Sequence, residues 1–121
     1  MKAIKVVIAD DDAITRLLLG TLLRQNDFEV VGEATNGLDA LELCNSLEPD
    51  VLLLDINMPQ MGGFEVLKSI RSAYPDLAVI MISSDATLNN VEEACTYGIN
   101  EFIVKPFNAA RVIEAIARSM K

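Results

Sequence analysis

Three consecutive carboxylates, Asp10, Asp11 and Asp12, follow the apolar run "IKVVIA" over residues 4–9. Two unit charges about 4 Å apart repel by roughly 4 kcal/mol at an effective dielectric near 20. Something must offset that repulsion, or the side chains must turn apart into water. Other reactive residues close apolar runs in the same way: Asp55 after "VLLL", Ser83 with Ser84 and Asp85 at the end of "LAVIMIS", and Lys105-Pro106 after "EFIV". A hard divalent cation would hold Asp10, Asp11 and Asp55 together, because magnesium takes oxygen ligands, keeps several waters and uses one or two protein carboxylates. An acidic pair, a further Asp, a hydroxyl and a Lys supply a nucleophile, metal ligands and neutralising charge, which together suit phosphoryl transfer. Each residue also has a plainer use. Asp12, or even Asp11, can cap the following helix, Asp55 can start a turn, Ser83 can cap a helix, and Lys105 can lie along the surface with its ammonium in water. Those uses explain the residues singly but not their recurrence at successive run ends.

The elements that must position them alternate regularly. "IKVVIA", "FEVVGEA", "VLLLD", "LAVIMIS" and "EFIVK" have strand character, and each is followed by a segment of helical period. Asn26-Asp27 stops the first helix, and "EPD" breaks the chain after the second. The second strand is the most polar and suits a sheet edge, whereas "VLLL" suits a central strand covered on both faces. Ala40, Leu43, Cys44 and Leu47 share one face of the second helix. Five strand–helix units predict an α/β fold, a doubly wound parallel sheet with right-handed crossovers and helices on both faces. In such sheets ligands gather at the carboxyl ends of the strands, where the reactive residues lie.

The 121 residues suffice for one domain, taken as 1–121, with 51% hydrophobic and 23% charged residues. A net charge of −8 argues against direct nucleic-acid or anionic-membrane binding and favours a cation or a basic partner surface. The chain has no His, which excludes a Cys/His zinc site and a Cys–His nucleophile. Cys44 and Cys95 read as buried, small apolar residues of a cytoplasmic protein. No stretch has the length of a signal peptide core or a membrane span.

In combination, "DD" after the first strand, "DINMPQMGG" after the third, "ISS" after the fourth and "VKPF" after the fifth resemble the receiver domains of two-component response regulators. The resemblance runs from "VVIADDD" to the last helix. It implies the CheY-like, flavodoxin-like strand order 2-1-3-4-5. It implies Asp55 as phosphoacceptor, with Mg²⁺ bound by Asp11, Asp55 and the Asn57 carbonyl, and by Asp10 through water. Lys105 would pair with the incoming phosphoryl group, Ser83 would hydrogen-bond it afterwards, and Phe102 would occupy the switch position. The partners implied are a sensor histidine kinase or histidine phosphotransfer protein upstream, and a downstream protein target or a second copy. Partner binding would change on the face of the fourth helix, fifth strand and fifth helix. The domain would catalyse only its own phosphorylation and dephosphorylation.

Gly62 stands where Asp or Asn is frequent, which implies a looser turn, and Phe102 lacks the hydroxyl of a switch tyrosine. A flavin- or nucleotide-binding module would share the architecture but needs an anion cradle after the first strand, where this chain has three carboxylates. An Asp-nucleophile phosphatase would need a second acid at Asn57. A receiver cut from a longer DNA-binding or enzymatic regulator is the alternative within the family. Ile14 and Leu18, one turn apart beside the acidic residues, belong to a helix more apolar than one buried stripe requires, and are expected to dock a kinase helix.

Overall fold

The computed structural model describes residues 2–121. Ten elements alternate: β1 (Lys5–Ala9), α1 (Ala13–Gln25), β2 (Glu29–Ala34), α2 (Gly37–Leu47), β3 (Val51–Leu54), α3 (Gly63–Ala73), β4 (Ala78–Ser83), α4 (Leu88–Thr96), β5 (Glu101–Val104) and α5 (Ala109–Ser119). The strands form one parallel sheet in the order β2-β1-β3-β4-β5, so the doubly wound architecture and the edge position of β2 are as expected.

The central strands β3 and β4 are buried along their whole length because both faces of the sheet are covered. On one face Val6, Ile8, Val51, Leu53, Ile80 and Ile82 pack with Leu19 and Leu23 of α1 and Val112 and Ile116 of α5. On the other, Val7, Leu52, Leu54 and Met81 meet Ala40 and Cys44 of α2, Val66, Leu67 and Ile70 of α3, and Ala94 of α4. Successive residues of a strand point to opposite faces, so every position of β3 is buried. Leu43 and Leu47 of α2 are only half-buried, and they close over Gly32 of β2.

Polar residues fix the helix starts. Asp12, Asn36, Thr87 and Asn108 accept main-chain N–H bonds at the starts of α1, α2, α4 and α5. Such caps satisfy N–H groups that have no partner within the helix. Helix α3 lacks one, because Gly62 stands at its N-cap without a side chain. Glycine is required one residue later and at the start of α2. A Cβ on Gly63 would lie 2.2 Å from the Asp55 carbonyl oxygen, and one on Gly37 would lie 2.0 Å from that of Met61. Both contacts press neighbouring main chain against the segment that follows β3.

The two glycines at the start of α3 should therefore respond oppositely. Gly63→Ala forces backbone apart and should cost on the order of 3 kcal/mol in urea unfolding. At Gly62 a Cβ would make only an ordinary contact, 3.5 Å from the Ile56 carbonyl oxygen, and the backbone angles suit any residue. Gly62→Asn should gain a few tenths to about 1 kcal/mol by supplying the missing cap.

Candidate functional site

The sheet delivers the acidic residues to one edge by extending its ladders one step past the strand ends. Asp10 N–H donates to the Ala34 carbonyl at 3.0 Å, Asp55 N–H to the Ala9 carbonyl at 2.9 Å, and Lys105 N–H to the Ser83 carbonyl at 3.0 Å. Carboxylate oxygens of Asp10, Asp11 and Asp55 consequently lie within 4.8 Å of one another. Asp10 and Asp55 are 2% and 7% exposed, while Asp11 opens to solvent. Lys105, which follows β5 and precedes a cis Pro106, crosses to this group. Its ammonium donates to Asp10 Oδ2 at 2.7 Å and lies 3.5 Å from Asp55 Oδ2.

Electrostatics follow from that geometry. Burial, and then the Asp10 charge, push the Asp55 carboxyl above the ordinary aspartate range, and Lys105 pulls it partly back. Burial lowers the Lys105 ammonium, but its hydrogen bond to Asp10 and the charges of Asp55 and Asp10 outweigh burial and leave it raised. Asp12 is separate from the cluster. It accepts from the Ile14 N–H at 3.2 Å and from the Thr15 hydroxyl at 2.7 Å, and these bonds, the hydroxyl first, hold its carboxyl below the usual range. It is the helix cap.

The remaining expected residues flank the cluster. The buried Ser83 hydroxyl accepts from the Asp85 N–H at 3.1 Å. Asn57 is exposed, and its side-chain amide donates to Asp85 Oδ2 at 3.3 Å, linking the segments after β3 and β4. Asp85 had only its place at a strand end to mark it. Phe102 is half-buried against the core under α3 and α4, so it begins less exposed than an outward switch position would be. Ile14 and Leu18 are 67% and 55% exposed, with Leu17 beside them. Cys44 is buried, its thiol pushed up to about 11 by burial, but Cys95 is exposed on α4, contrary to expectation. Helical periodicity does not fix which face of a short, polar helix turns inward.

The donor set suits a hard cation: clustered carboxylate oxygens with no imidazole or thiolate among them, and one carboxylate open to water. No helix among the described residues is long and apolar enough to cross a membrane.

The sequence matches the response regulator receiver domain over residues 6–117. It is 41% identical to the chemotaxis protein CheY of Listeria monocytogenes, covering 98% of this chain and 99% of that one. The Bacillus subtilis CheY is 40% identical, with 96% and 97% covered. Among solved structures, the CheX-CheY-BeF3-Mg²⁺ complex of Borrelia burgdorferi aligns with a TM-score of 0.92 at 29% identity, over 98% of this chain and 90% of that one. An α/β phosphoryl-signalling fold with a carboxylate edge is thus joined to sequence kinship. The chain belongs to the response regulator receiver domains, and its relatives include the CheY proteins. This kinship does not favour the flavin- or nucleotide-binding alternative.

The raised Asp55 sets a pH dependence for the metal-free protein. A carboxyl raised in the folded state stabilises the fold below its unfolded pKa, and that contribution is lost as pH rises through the folded value. Asp55→Asn should therefore melt at a higher temperature than the natural chain in EDTA at neutral pH. The gap should close as the pH falls toward the ordinary aspartate range. Melting curves at several pH values check it.

Proposed function

We propose that Asp55 accepts a phosphoryl group and that the domain works as a phosphorylation-controlled switch between a histidine kinase or phosphotransfer protein and a downstream protein. One observation carries this reading: Asp55 stands in a carboxylate cluster with the Lys105 ammonium 3.5 Å from its oxygen. An Asp55 oxygen would attack phosphorus in line, forming an O–P bond as the P–N bond to the donor's histidine, or the P–O bond of acetyl phosphate, breaks and the freed imidazole or acetate departs. Lys105, drawn between Asp10 and Asp55, would neutralise the phosphoryl oxygens.

Magnesium, when bound, supplies charge neutralisation and orientation for the transferring group. Asp11, Asp55 and the Asn57 carbonyl would hold it directly. Asp10 suits a water-mediated contact, because both its oxygens already accept bonds, from Asp12 N–H and from Lys105. Ser83 would serve the phosphorylated state: its oxygen accepts from the Asp85 N–H, which leaves its hydrogen for a phosphoryl oxygen. Movement of Ser83 would open space for Phe102, whose neighbour across the ladder is Met81. Since Phe102 is already half-buried, its inward turn would contribute toward the lower end of about 1–3 kcal/mol. Asn57 lacks the acid that repeated hydrolysis of outside substrates needs, so the chain acts on itself rather than as a multiple-turnover enzyme. A cytoplasmic location suits that role.

Asp55→Asn should abolish phosphate uptake from acetyl phosphate, and Lys105→Ala should slow it by about a hundredfold or more. Uptake by the natural protein should fail in EDTA. Magnesium at a hundred times its dissociation constant should stabilise the natural chain by about 2.7 kcal/mol. Phosphate uptake at a normal rate by Asp55→Asn would refute the assignment.

The exposed Ile14, Leu17 and Leu18 form an apolar strip beside the acidic edge, which suits an approaching kinase helix. Leu18→Asp should slow transfer from the cognate kinase about tenfold or more while sparing acetyl phosphate, a loss of roughly 1.4 kcal/mol of docking. Paired phosphorylation assays separate docking from chemistry.

A further inference from the structure

Asp10 is held at every polar atom. Its N–H donates to Ala34, Oδ1 accepts from the Asp12 N–H at 2.9 Å, and Oδ2 accepts from Lys105. Its carbonyl oxygen accepts from Nη1 of Arg16 at 2.7 Å. The first three bonds belong to the sheet ladder, a tight turn and the lysine already described. The fourth is demanded by none of them.

Arg16 lies in the first turn of α1, with its side chain only 18% exposed. The same guanidinium reaches β2, where its Nε lies 3.6 Å from Glu33 Oε1. Glu33 also approaches Arg24, at 3.9 Å. One planar group thus ties the end of β2 to the peptide that joins Asp10 and Asp11. A peptide unit is rigid and planar. Fixing its carbonyl fixes the direction in which the Asp11 Cα leaves it. Asp11 needs such a constraint: its side chain is exposed and makes no hydrogen bond among the described residues.

We propose that Arg16 is a positioning residue for the divalent cation, setting the pose of Asp11 through the Asp10 carbonyl and so the affinity of the acidic edge for magnesium. The assignment rests on the metal reading above and goes beyond it. Its sign separates it from simple electrostatics. A guanidinium near the site repels a cation, so charge alone would make Arg16 weaken binding, and its removal would tighten it. Positioning predicts the reverse.

Titration calorimetry of Mg²⁺ into the full chain tests it, with thermal melts in EDTA run beside it. Arg16→Ala should weaken magnesium binding by about 10- to 100-fold, as loss of a group that orients a metal ligand does. Arg16→Lys keeps the charge but cannot span both oxygens, and should recover only part of the affinity. Arg24→Ala, which shares Glu33 but does not contact Asp10, should stay within about twofold of the natural chain. Unchanged or tighter binding by Arg16→Ala overturns the proposal, whatever its melting temperature. Should Arg16→Ala not fold, Arg16→Lys decides: affinity equal to the natural chain overturns the proposal, and a partial loss supports it. A natural chain that takes up no magnesium overturns the metal reading itself and this assignment with it.

Discussion

Like-charge crowding at one end of the sheet governs this molecule. Two nearly buried carboxylates, Asp10 and Asp55, and the more open Asp11 share a space less than 5 Å across. A single ammonium answers them, at 2.7 Å from one and 3.5 Å from another. Buried ion pairs seldom add stability over apolar packing, although breaking one by removing a partner is costly. The arrangement therefore makes sense as a binding and reacting surface, with the covered faces of the sheet supplying the stability that the edge does not.

Rigidity and openness are divided sharply around that edge. The ladders, the glycine contacts at Gly37 and Gly63 and the four bonds on Asp10 hold the main chain in place. By contrast Asp11, Asn57, Ile14 and Leu18 face solvent. On the proposed reading, such a site would hold its reacting oxygen firmly while leaving one side open to a phosphodonor.

The fold was legible because both of its periodicities are strong. Uninterrupted apolar runs such as Val51–Leu54 announce strands covered on two faces, and a capping residue such as Asp12 announces a helix start. The site was legible because its residues sit immediately after those runs. What escaped notice depends on contacts between distant elements. Arg16 is an unremarked polar residue in an amphipathic helix until the Asp10 carbonyl and Glu33 are brought to it. The apolar excess on α1 was visible, and Ile14 and Leu18 do stay out, but periodicity did not single out Leu17, which is as exposed as Ile14. Cys95 went astray similarly, since α4 buries only Ala94 completely.

The bond between Lys105 and Asp10 joins residues 95 positions apart in a chain of 121. Parallel strands of this order close only after long intervening segments have collapsed, and such non-local pairing forms slowly. The lysine reaches the carboxylates only when β5 has docked beside β4, at the far side of the sheet from β2. A chain still emerging, or one that has lost its last strand, would carry the acids without the cation that completes them. Competence to signal is in this way tied to the completion of folding.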